Sequence, residues 1–151
     1  MEKFSEGEWY PFRVYKKILL EDENWYFVLL DGNNSKHFLP VIGYEDYSIR
    51  PGEEVICRVD KINCTGRIYL EPKHPKYTEG RSYLFDVVEM KIHGAIHHLV
   101  VKDVFGNLEQ LAITSHMEDR LVFSSPIRCV VKRIRKGRLT LVVRESSRQT
   151  R

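Results

Sequence analysis

Residues 57–70 read CRVDKINCTGRIYL, and residues 129–141 read CVVKRIRKGRLTL. Each runs Cys-x-Val-x-basic-Ile and then, after a short polar break, Gly-Arg-Ile/Leu-x-Leu. The echo reaches upstream: EGEWYPFRV from Glu6 and EGRSYLFDV from Glu79 share Glu-Gly-x-x-Tyr-x-Phe-x-Val. The offset is 79 − 6 = 73 at the glutamates and 129 − 57 = 72 at the cysteines. A nearly constant offset marks a repeated structural unit, so the 151 residues are expected to form two small domains.

Within each unit the apolar residues alternate, the period of half-buried strands. In the first, Tyr10, Phe12 and Val14 open the series. Tyr26, Val28 and Leu30 are expected to face the interior next, then Leu39 and Val41, then Val55, Cys57 and Val59, then Ile68 and Leu70. The second gives Tyr83, Phe85 and Val87; Leu99 and Val101; Leu111 and Ile113; Cys129 and Val131; Leu139, Leu141 and Val143. Turn residues punctuate both series at DGNNS, RPGEE, CTG, FGN, SSP and KG. IGYEDYSI and TSHMEDRL, between third and fourth strands, suit one helical turn each. Three strands, a short helical connection and two strands is the order of the OB fold, a five-stranded Greek-key barrel. The expected class is therefore all-β, with two tandem OB barrels at residues 1–73 and 80–146. A proline-containing linker would occupy 74–79 and a basic tail 147–151.

RPGEEVICRVDKINCTGRIYLEPK resembles the end of an S1-type RNA-binding domain, with a Gly-plus-acidic entry, an alternating strand, a polar turn, Gly-Arg-Ile-x-Leu and a terminal Lys. YFVLLDGNNSKHFLPVI similarly resembles the S1 second hairpin, Phe27 taking the place of one S1 aromatic. Asn24 and Pro40 stand where S1 domains carry an aromatic and a His. In the second unit His98 is aligned with Phe27 and Gln110 with Phe38. The resemblance implies binding of single-stranded nucleic acid.

If Tyr26, Val28 and Leu30 point inward, alternation puts Trp25 and Phe27 outside, with Phe38 beside them on the next strand. Aromatics so placed could stack on bases, while Arg58, Lys61, Arg67 and Lys73 held phosphates. In the second unit Lys132, Arg133, Arg135, Lys136 and Arg138 line the last turn, a natural second phosphate contact whose binding would fall with salt. Charge supports an anionic partner: residues 1–75 carry 10 Lys plus Arg against 13 Asp plus Glu, net −3, and residues 76–151 carry 14 against 8, net +6. The expected partner is single-stranded RNA or DNA. The alternative is a protein-interaction module, alone or as the N-terminal part of a larger protein, that uses Trp25, Phe27 and Phe38 as anchors. Tyr44 and Tyr47 are read as ordinary packing.

No enzyme, cofactor or metal is expected. His97 and His98 would point to opposite faces of a strand, and no phosphate loop, nucleophile elbow or zinc spacing occurs. Three cysteines without a close pair suit a reducing, cytoplasmic setting. No apolar run approaches the roughly 18 residues a membrane helix needs, and MEKFSEGEWY is no export signal.

Overall fold

The computed structural model describes residues 3–94, 96–113 and 126–143. The chain divides between Pro75 and Lys76 into two compact units, each with its own core. In the first, β1 (Trp9–Leu19) pairs with β2 (Trp25–Leu30) and β4 (Glu54–Ile62). β2 continues to β3 (Lys36–Pro40) and β4 to β5 (Ile68–Pro72), giving the sheet order β3-β2-β1-β4-β5. The second unit repeats it with β6 (Ser82–His93), β7 (Ile96–Lys102), β8 (Leu108–Ile113), β9 (Ile127–Arg135) and β10 (Arg138–Val143), in the order β10-β9-β6-β7-β8. All pairings are antiparallel. This is the expected all-β tandem barrel architecture. The expected helical turn of the first unit is a 3-10 turn, Glu45–Tyr47. TSHMEDRL of the second, the SSP turn's Ser124 and Ser125, and the basic tail lie outside the described residues.

The two copies agree in detail. Each long first strand carries a bulge, between Val14 and Lys16 and between Val87 and Glu89, which lets one strand bend and serve two neighbours. The fourth strands bulge at matching places, Asp60 and Lys132. A strap precedes each barrel. In the first, Phe4 lies face to face with Phe12 (5.9 Å), and the Ile62 N–H donates to Glu6 Oε2 (2.8 Å). In the second, Tyr77 stacks on Phe85 (5.4 Å), and the Ile134 N–H donates to Glu79 Oε2 (2.6 Å). Gly7 and Gly80 follow at φ 88° and 89°, a left-handed backbone suited to glycine. Each gives its N–H to a core strand, at the carbonyls of Val59 and Val131.

These contacts correct the expected boundaries. Tyr77 and Glu79, read as linker, are built into the second unit, and His74 is buried in the first, its ring 5.1 Å from that of Tyr47.

The β2–β3 and β7–β8 turns are both pinned by an aspartate. Asp31 Oδ1 accepts the N–H groups of Asn33 and Ser35, and Asp103 Oδ1 those of Phe105 and Asn107. Asp31 Oδ2 also meets His37 Nε2 at 2.9 Å. Burial opposes ionisation of Asp31, but the His37, Ser35 and Asn33 hydrogen bonds outweigh it and hold its carboxyl below the ordinary value of 3.8. A depressed carboxyl stabilises the fold above its unfolded value, and that stabilisation is lost as pH falls through the lower folded value. Acid titration of the first unit's tryptophan fluorescence should therefore show a loss of stability below about pH 4 that Asp31→Asn makes shallower. Equal slopes in the two proteins would remove this assignment.

The barrels differ where third and fifth strands approach. At the place His37 holds on β3, β8 carries Glu109, which is buried. Glu109 accepts Arg138 Nε (2.9 Å) and Nη2 (3.0 Å) and the Leu139 N–H (3.1 Å), clasping β8 to β10. Glu109→Ala leaves a buried N–H without its acceptor and should lower the second unit's stability by about 1–3 kcal/mol. Urea unfolding followed by circular dichroism, with no change in the tryptophan transition, checks this, because Trp9 and Trp25 are both in the first unit.

Candidate interaction surface

The structure separates the aromatics that the sequence grouped. Phe27 and Leu29, not Tyr26, Val28 and Leu30, fill the first core. Phe27 is only 5% exposed and sits opposite Lys17 and Leu39. Phe38, opposite Val28, is on the outer face and 43% exposed. Trp25, 49% exposed, belongs to the same side of β2 as Phe27, beyond the filled part of the barrel, with Lys17 Nζ 5.5 Å from its ring centroid. No stacking row of Trp25, Phe27 and Phe38 forms. The cause is local: Phe27, Val28, Leu29 and Leu30 are all buried, so alternation does not show which pair faces inward.

The outer face of β1, β2 and β3 has a different membership. Phe38 meets the half-buried Tyr26 edge to face, at 6.4 Å and 80°. Val28 lies buried beneath them, with Lys16 and Ile18 on β1 and Pro40 on β3 at the margins. The Tyr26 hydroxyl donates to Asp22 Oδ2 (2.6 Å) in the β1–β2 turn. That bond raises the phenol's pKa and lowers that of Asp22, and the Arg67 charge nearby pulls the phenol the other way. Arg67, in the β4–β5 turn, covers Tyr69 at 5.0 Å.

Of the nine cations expected to hold phosphates, Arg58, Arg67 and Arg138 are engaged elsewhere. Arg58 donates to Asp60 Oδ1 (2.6 Å) and lies 5.4 Å over Trp9. Lys61 is exposed opposite Tyr69, and Lys73 follows β5, its N–H bonded to the Ile56 carbonyl. In the second unit Arg133 and Arg135 share an outer face with Arg138, Lys132 is at the bulge, and Lys136 is in the turn at φ 53°. Arg138 is tied to Glu109.

Sequence reasoning missed Tyr26, Trp9 and Tyr69 as surface aromatics. The signal lay in the second copy. His98 on β7 holds the place of Tyr26, His97 that of Trp25, Gln110 that of Phe38, Ser82 that of Trp9 and Thr140 that of Tyr69. Leu99, not His98, is the counterpart of Phe27, and both are buried. Residues that both copies need for the barrel remain apolar. The outer aromatics occur in one copy only, so the barrel does not require them.

Several other groups are structural. Tyr44 is buried and donates to Glu71 Oε1 (3.0 Å), burial and the Glu71 charge driving its phenol pKa upward. Burial pushes the Cys57 thiol up and the Cys129 thiol to about 11, which leaves both thiols protonated and unreactive near neutral pH. All three cysteines are free. Among the described residues no group of three or more His, Cys, Asp or Glu is placed to hold a metal ion, and no helix is long and apolar enough to cross a membrane.

No family model matches the chain, and no curated protein is similar to it. Among solved structures, the cytoplasmic molybdate-binding protein ModG, in a crystal form with molybdate bound, aligns over 95% of this chain and 100% of its own. The identity is 13% and the TM-score 0.31. That neighbour is described as binding molybdate. The expectation of a single-stranded RNA or DNA partner is withdrawn on the geometry: Phe27 is interior, Trp25 and Phe38 lie on different sides of β2, and Arg58 and Arg138 are held in ion pairs.

Proposed function

We propose that the chain is a protein-interaction module whose first unit presents the outer face around Phe38 and Tyr26 as a docking surface. One observation carries the reading. The two copies share core, bulges, straps and turn aspartates, yet aromatic side chains occupy outer positions of the first where the second has Gln110, His98, Ser82 and Thr140. An exposed Phe resting on a Tyr over a buried Val is the kind of rigid aromatic anchor that dominates protein interfaces. Catalysis has no part in this reading, and a cytoplasmic setting belongs to it, supported by the free cysteines. The S1-type likeness is kept as a statement about the strand motifs, separate from the partner.

Phe38→Gln installs the second copy's residue and tests the reading. Stability should change by less than about 0.5 kcal/mol, as at an ordinary surface position. With a photo-crosslinking side chain replacing exposed Lys36 on the same strand, the parent protein should give discrete protein adducts in cells that Phe38→Gln loses. Identical adducts in both forms, or adducts to oligonucleotides alone, would refute the docking surface.

A further inference from the structure

The outer face of β6, β9 and β10 carries a second, independent contrast between the copies. In the first unit the corresponding face mixes signs: Arg58 is paired to Asp60, and Glu71 stands opposite Arg58. In the second unit Val130 replaces Arg58, Lys132 replaces Asp60, and Val142 replaces Glu71. Both acids at those places have gone, and basic residues have been gained at the bulge and at the turn; the acid that remains on the face, Asp86 on β6, stands opposite Lys102 of β7. Arg133 stands opposite Thr140 and Arg135 opposite Arg138, so three guanidiniums share one side of the hairpin, Leu139 and Ile134 filling the other. Glu109 neutralises only Arg138; among the described residues no carboxylate pairs with Lys132, Arg133 or Arg135. Next to the cations, along the same face, runs an apolar strip of Leu84, Val130 and Val142, with Leu84 54% and Val142 47% exposed.

We propose that this face is a docking site for an extended acidic segment of a partner protein. Carboxylates would engage Arg133 and Arg135, and an apolar side chain would rest on Val130 and Val142. The planar guanidinium suits a carboxylate through two parallel N–H donors. Charge complementarity selects an acidic occupant, and the bordering strip selects one that also carries apolar side chains. The face offers no exposed aromatic among its described residues, so it lacks the stacking platform that single-stranded nucleic acid uses. This site belongs to the second unit and the Phe38 surface to the first, and either can fail without the other.

The test uses the full chain and a fluorescein-labelled peptide alternating Glu and Leu, about 12 residues long to lie along a strand pair of ordinary length. Anisotropy titrations at low and moderate salt should show saturable binding that weakens with salt. Arg133→Glu combined with Arg135→Glu should reduce affinity at least about tenfold, the equivalent of one charge-assisted hydrogen bond. Thermal unfolding should show the double variant folded, and Phe38→Gln should bind the peptide as the parent does. Unchanged affinity in the folded double variant overturns the proposal. So does a single-stranded oligonucleotide of equal charge that binds the same face more tightly than the peptide.

Discussion

Phe27→Ala is expected to lower the stability of the first unit by about 3–5 kcal/mol, the usual result of emptying a buried aromatic site. Phe27 is almost fully buried among Leu29, Leu39 and the other residues of the first core, between Lys17 on β1 and Leu39 on β3. Small domains are stable by only about 5–15 kcal/mol in all, so the change removes a large part of the total. Both tryptophans belong to this unit, and their urea transition should move to markedly lower denaturant. Phe27→Leu, which copies Leu99, keeps an apolar side chain of comparable reach and should cost less than about 1.5 kcal/mol. An unmoved tryptophan transition in Phe27→Ala would show that Phe27 is a surface residue after all and would undo the strand register described above.

The register is where sequence reading and structure part, and the reason is physical. In the nine strands of the described residues other than β2 the inward residues are those the alternation gives, as where Phe12 and Val14 flank Arg13 and Leu139 and Leu141 flank Thr140. β2 has no polar face over Phe27–Leu30, since Val28 and Leu30 are covered on the outside while Phe27 and Leu29 fill the inside. A shift of one residue exchanges the two faces of a strand, and the inferred aromatic row depended on that choice. The repeat itself held the correction. β7 reads His98-Leu99-Val100-Val101-Lys102, and its polar ends fix Leu99 and Val101 inward. Alignment on Asp31 and Asp103, which pin the same turn in both copies, sets Leu99 on Phe27. Paired cations were less legible, because the Arg58–Asp60 contact depends on the bulge at Asp60 and the Arg138–Glu109 clasp joins strands far apart in sequence.

Duplication also separates what the barrel needs from what a partner needs. Straps, bulges and turn aspartates recur because each closes a backbone hydrogen bond or bends a strand, and losing any of them would leave a barrel incomplete. Outer positions meet no such demand, so the copies are free to diverge there. They diverge in opposite directions: aromatic around Phe38 in the first, cationic around Arg133 in the second.

Tyr77→Ala should lower the stability of the second unit by about 3 kcal/mol or more. Its ring stacks on Phe85 (5.4 Å), meets Tyr83 edge to face (4.8 Å) and is 7% exposed, and its hydroxyl accepts the Val104 N–H (2.9 Å). Burial raises the phenol's pKa, with the Asp103 charge acting in the same direction, so the hydroxyl stays neutral while holding that turn. The first copy has Phe4 at this place, with the stacking and no hydroxyl. Tyr77→Phe should therefore keep the packing and lose the Val104 contact, about 1 kcal/mol. Circular dichroism should show early unfolding of part of the β signal in Tyr77→Ala, while the tryptophan transition of the first unit stays in place. A linker residue would behave otherwise: its substitution would leave both transitions unchanged, and that outcome would return residues 74–79 to the role of a spacer.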